Sequence, residues 1–101
     1  MPSKNARRGS NFERELVNLA RAAGLRSVRA YASDGRSLGE DTTVDLTIGK
    51  LRVQAKRRKK LASYLQIPAG ADAVAFRQDR GPTLILLPYE ALLDLVKQQT
   101  E

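Results

Sequence analysis

The sequence predicts an α/β fold, a mixed central β-sheet flanked by helices, with elements in the order α-β-β-β-α-β-β-α. Three observations predict it. Apolar residues recur at helical spacing near both ends of the chain, five segments of strand length lie between them, and Gly, Pro and Asp punctuate those segments. Helices at both ends of a run of strands imply a sheet covered by helices. The 101 residues suffice for one modest core.

The elements follow in order. Residues 1–9 carry Lys4, Arg7 and Arg8 with almost no apolar content and read as a flexible basic arm. A single domain is expected over 10–101. Ser10 suits a helix N-cap. Phe12, Leu16, Leu19, Ala20 and Ala23 follow at helical spacing, and Gly24 supplies the stop. Ser27–Tyr31 reads as a short strand, and Ala32–Thr42 as a polar, mobile loop. Residues 44–48 and 51–56 alternate apolar and polar, as half-buried strands do. Arg57–Lys60 is a basic run leading to a short helix before Pro68. Ala71–Phe76 and Thr83–Leu87 are apolar strands joined by Asp79-Arg80-Gly81-Pro82. Pro88 opens a last helix with Leu92, Leu93 and Val96 on one side.

Charge narrows the function. The net charge is +7, but residues 1–60 hold 15 basic and 6 acidic side chains, whereas residues 61–101 hold 3 and 5. A clustered excess of this kind suits a polyanion such as nucleic acid. The chain has no Cys and no His, which excludes thiol nucleophiles, disulfides and His/Cys zinc sites. Any metal must be held by oxygen ligands, which favours Mg²⁺ or Mn²⁺. No apolar run has the length of a membrane span, so a membrane is not an expected partner. The expected location is the cytoplasm.

The most informative segment is the hairpin. Gly49-Lys50 fits a two-residue type II′ turn, with Gly at the first central position. That turn pairs Ile48 with Leu51 and sets Asp45 opposite Gln54. Directly opposed side chains lie about 5 Å apart, and Lys56 is the diagonal neighbour at roughly 7 Å. A carboxylate, an amide and an ammonium would then converge, which suits metal-dependent cleavage of a phosphodiester. Ordinary readings exist for each residue. Asp45 could pair with Lys56 as a structural ion pair, and Lys56 could be one more member of the basic run. Glu13 falls inside the apolar sector of its helix, where a carboxylate is costly unless paired. It also completes a capping box with Ser10.

With these residues in view, the chain resembles the archaeal-type Holliday junction resolvases of the PD-(D/E)xK nuclease superfamily, in a compact, phage-like form. The resemblance rests on Arg8-Gly9, Phe12-Glu13-Arg14-Glu15-Leu16-Val17, Ser27-Val28-Arg29, Ser33, Val44-Asp45-Leu46 and Gln54-Ala55-Lys56. It covers residues 8–60 and implies a restriction-endonuclease-like core. Gln54 departs from the family, which has a metal-binding Glu at that place.

The resemblance implies a homodimeric endonuclease that resolves four-way DNA junctions by paired phosphodiester hydrolysis. Glu13, Asp45 and Gln54 would hold Mg²⁺, with Mn²⁺ able to substitute. Lys56 would orient the attacking water or offset transition-state charge, and Ser33 would assist near the phosphate. Candidate DNA contacts are Lys4, Arg7, Arg8, Arg14, Arg29, Arg36, Arg57, Arg58, Lys59 and Lys60. Tyr64, Leu65, Phe76 and residues 84–87 could furnish the dimer interface or simply fill the core. No small-molecule cofactor is implied, and the cell would be bacterial, archaeal or phage-infected. Two other readings stand beside this one. They are a related nuclease acting on nicks, flaps or mismatches, and a non-catalytic basic nucleic-acid-binding module.

Overall fold

A computed structural model describes residues 4–30 and 35–100, with side chains over 11–30 and 35–99. The chain forms two compact units, one within Met1–Arg57 and one within Arg58–Thr100. The division falls inside the basic run.

The first unit opens with α1, Lys4–Ala22. The helix starts six residues before the expected Ser10 cap, so residues 4–9 are helical rather than a flexible arm. Lys, Ala and Arg propagate a helix well, and one Gly costs only about 1 kcal/mol in its interior. The predicted stop holds. Gly24 adopts φ +86°. Its N–H bonds the Arg21 carbonyl at 2.9 Å, and the Leu25 N–H bonds the Ala20 carbonyl at 3.0 Å. These two bonds are the Schellman pair, and a residue without a Cβ takes that conformation at little cost.

Three strands follow: β1 (Ser27–Arg29), β2 (Leu46–Ile48) and β3 (Leu51–Val53). They form an antiparallel sheet in the order β1-β2-β3. Central β2 carries the core. Leu46 and Ile48 are fully buried, beside Leu16, Val17, Ala20, Leu25, Ala30 and Val44. Each of those two side chains contributes about 1.5–3 kcal/mol by leaving water. Buried Ser27 is satisfied because its hydroxyl donates to the Thr47 carbonyl at 2.7 Å.

The hairpin has the predicted register, with Ile48 opposite Leu51 and Leu46 opposite Val53. Gly49 has φ +57°, and Lys50 has no positive φ, as type II′ requires. Both strands are shorter than expected. β2 begins only at Leu46, and β3 ends at Val53, so Gln54 and Lys56 lie beyond it.

The expected loop is partly ordered. Gly35–Leu38 forms a 3₁₀ turn, and the Glu40 N–H bonds the Gly35 carbonyl at 2.9 Å. Gly35 is buried, and a Cβ there would overlap the Asp41 carbonyl oxygen and meet the Val44 side chain at 2.9 Å. Asp41 closes an Asx turn, accepting the Thr43 N–H and hydroxyl at 3.0 Å each. The bond from the Thr43 backbone N–H is the main reason that its carboxyl is held below 3.8.

The second unit contains a 3₁₀ turn at Ser63–Leu65, the strands β4 (Val74–Arg77) and β5 (Thr83–Leu86), and α2 (Tyr89–Thr100). The expected middle helix is only that single turn, because seven residues between the basic run and Pro68 leave little room. β4 and β5 pair antiparallel as a separate sheet, and Arg80 takes φ +63° in their turn. Among the described residues all strand pairs are antiparallel, in two sheets rather than one mixed sheet. α2 starts after Pro88 as predicted and buries Leu93. Tyr64 stacks obliquely on Phe76, with ring centroids 6.4 Å apart. Tyr64, Leu84 and Ile85 are 66%, 51% and 64% exposed, so they do not fill the core.

Candidate active site

Among the described residues of the first unit two acids are buried, Glu13 on α1 at 4% exposure and Asp45 before β2 at 8%. Helix spacing placed Glu13 toward the sheet, and the structure agrees. Its Oε2 accepts Arg29 Nη1 at 3.2 Å. This ion pair answers the cost of burying the carboxylate. It also engages Arg29, one of the candidate phosphate contacts.

Asp45 is held from three sides. Its carbonyl accepts the Ala30 N–H at 2.8 Å, just after β1. Its own N–H donates to the Val53 carbonyl at 2.8 Å, on β3. In a regular strand the N–H and C=O of one residue point the same way, so the chain turns locally at Asp45, as at a β-bulge. Oδ2 of the carboxylate then accepts the Ala55 N–H at 2.7 Å. In an unbroken ladder Ala55 would bond the Val44 carbonyl. The side chain takes that place and ends the ladder, which is why β3 stops early.

The expected direct opposition of Asp45 and Gln54 thus becomes a different link. Asp45 reaches the backbone of Ala55, the residue between Gln54 and Lys56. Gln54 and Lys56 flank the anchored amide, and both are exposed. On the other side, consecutive residues Arg29 and Ala30 bond Glu13 and Asp45 respectively. Residues 29–30 therefore bond both buried acids, and Ala55 bonds Asp45 as well.

The other candidates are spread along the chain. Arg14 is exposed on α1, and Arg36 lies in the 3₁₀ turn. Arg57, Arg58, Lys59 and Lys60 are exposed after β3. Lys4, Arg7 and Arg8 are in the first turns of α1, with side chains outside the described residues, and Ser33 lies outside them altogether. Sequence reasoning overlooked Gly35, whose signal is only a Gly in a polar loop. Arg14, Asn18 and Arg21, all exposed on α1, share helical spacing.

The archaeal Holliday junction resolvase family model matches residues 4–50. Over these residues the chain is similar to the archaeal Holliday junction resolvases. The match includes Glu13, Arg29 and Asp45 and ends before β3, just under half of the chain. Gln54 and Lys56 lie beyond it. No curated protein and no solved structure gives a significant match. At family level the match is to resolvase-type nuclease sequence.

The metal ligands expected from the sequence, the carboxylates of Glu13 and Asp45 and the amide of Gln54, are all oxygen donors. Such a set fits a hard divalent cation. Among the described residues no three acids, His or Cys cluster. The site is therefore poorer in charge than a three-carboxylate centre. Among the described residues no helix is long and apolar enough to cross a membrane.

Proposed function

We propose that the chain is a structure-selective, divalent-metal-dependent endonuclease that resolves four-way DNA junctions. The observation that carries this reading is the buried, three-way anchored Asp45 within the segment that matches the resolvase family. An acid buried before a core strand is costly unless a partner or a cation repays it. Asp45 with Gln54 would hold Mg²⁺, and Glu13 would join from its pairing with Arg29. The cation, when bound, supplies Lewis-acid stabilisation of charge on the scissile phosphate. Lys56, exposed one residue beyond the anchored amide, would balance charge at the phosphorus and orient water. Ser33 would assist near the same phosphate.

Arg14, Arg29 and Arg36, the first turns of α1 and residues 57–60 would meet backbone phosphates, which position DNA without reading sequence. Specificity then comes from branch geometry. The reading takes both units as one nuclease-like domain with a restriction-endonuclease-like core. It also takes a C2 homodimer, because two equivalent sites make paired cuts in one encounter. The exposed Tyr64, Leu84 and Ile85 support an interface on the second unit. Such a nuclease would act on DNA in the cytoplasm, with Mn²⁺ able to replace Mg²⁺.

A Mg²⁺ titration with a labelled four-way junction and a linear duplex of equal length tests the proposal. The expected outcome is metal-dependent paired nicks in the junction. Equal cutting of nicked, flapped or mismatched duplexes would favour the related nuclease, and metal-independent binding without cleavage would favour a binding module.

A further inference from the structure

α1 and β1 enclose a cleft of about 300 Å³ lined by Arg14, Val17, Asn18, Arg21, Val28 and Arg29. Among the described residues three arginines line it and no acid does. Arg14, Asn18 and Arg21 stand at i, i+4 and i+7 on α1, a single stripe running roughly 10 Å along the axis. Two of the arginines are held in place. Arg21 Nε donates to the Ser27 carbonyl at 2.9 Å, and Arg29 Nη1 donates to Glu13 at 3.2 Å. Each bond uses one of five N–H donors and fixes the plane of the fork. A fork held in this way loses little freedom when it meets an anion.

We propose that this cleft seats a backbone phosphate of a DNA strand, with Arg21 and Asn18 as contacts additional to Arg14 and Arg29. The chemistry of the wall identifies the ligand. Three cations, of which only Arg29 has an acidic partner among the described residues, leave a positive excess that calls for an anion, and planar forks suit phosphate oxygens. Val17 and Val28 add an apolar surface, which suits the hydrocarbon face of a deoxyribose and offers nothing to a free phosphate ion. The inference rests on the nuclease reading only for the identity of the polymer.

The test uses the full chain without metal. Binding to a labelled linear duplex is measured across a salt series for wild type, Arg21→Gln, Arg21→Lys and Arg26→Gln. Arg26 is exposed and does not line the cleft, so its variant controls for net charge alone. Arg21→Gln should lower the log-log salt slope by about one unit, as expected for one lost phosphate contact. Arg21→Lys should keep most of the slope, and Arg26→Gln should leave it unchanged. In parallel, the Arg21 Nε–H resonance is followed while a short oligonucleotide or inorganic phosphate is added. A shift at lower concentration of oligonucleotide phosphate than of inorganic phosphate supports a strand subsite. An equal response to both, or equal slopes for Arg21→Gln and Arg26→Gln, overturns it. Loss of slope without any metal-dependent cleavage would keep the cleft and remove the nuclease reading. Cleavage with an unchanged slope would do the reverse.

Discussion

Oδ2 of Asp45 accepts the backbone N–H of Ala55 at 2.7 Å, joining the acid before β2 to the residue between Gln54 and Lys56. A main-chain carbonyl would serve that amide equally well in an unbroken hairpin. A carboxylate there orients an anion toward the segment that carries the amide and the ammonium. The same bond ends the ladder and frees Gln54 and Lys56 from the alternation of a strand.

Asp45→Asn tests the role of the charge. The amide oxygen can still accept the Ala55 N–H, so the fold should hold. Cleavage should fall by more than about a hundredfold, beyond what losing an outer partner of a metal ligand costs. Junction binding should stay the same or tighten, because one repulsive charge is removed. Gel-shift and single-turnover assays on the same samples check both parts, and full cleavage by the variant would exclude this site.

Arg29→Gln should destabilise the first unit. It removes the Arg29 cation from beside the buried Glu13 carboxylate, a change that costs about 3–5 kcal/mol for buried pairs and less here, because Arg29 is part-exposed. Adding Glu13→Gln should recover part of the loss. Urea melts of the two single variants and the double variant read the coupling, and additive effects would show that the pair contributes nothing.

Gly35→Ala probes the loop ahead of the site. A Cβ there overlaps the Asp41 carbonyl oxygen and crowds Val44, the neighbour of Asp45. The turn must shift, so thermal stability should drop by several degrees, as for a loss of about 1 kcal/mol or more. A melting temperature equal to wild type would show that the turn moves freely.

Much of the fold is legible in the sequence, because periodicity and turn chemistry act locally. The Gly24 stop, the Gly49 turn, the Ile48–Leu51 register and the Pro88 start all follow from residues within a few positions. The ends of β2 and β3 are not legible, because Asp45 competes for an amide ten residues away. The start of α1 was misplaced since Ser10 is a good cap, yet the six residues before it also favour a helix. The sheet of β4 and β5 is separate for a reason that local pattern does not carry. At the site, Glu13 could be found as an acid in the apolar sector of its helix, and Asp45 as an acid in the hairpin opposite Gln54. The Glu13–Arg29 pair could not, because it joins residues sixteen positions apart.

The pH dependence of the Asx turn has a definite sign. The Asp41 carboxyl is held below 3.8 in the folded chain, mainly by the Thr43 N–H. A depressed folded pKa means that its contribution is complete above the unfolded value and is lost as pH falls through the folded one. The Thr43 amide resonance should therefore titrate with a midpoint below that of an ordinary Asp. A midpoint at or above 4 would contradict the bond.

The most direct test is metal-dependent cleavage of a four-way junction by Gln54→Glu beside the unaltered chain. A third oxygen anion next to Asp45 should raise metal affinity, since the cation outweighs the repulsion between carboxylates. Cleavage should rise, the Mg²⁺ concentration for half-maximal rate should fall, and adding Asp45→Asn should abolish the gain. If neither protein cuts the junction under saturating Mg²⁺ and Mn²⁺, the site around Asp45 is not a nuclease centre.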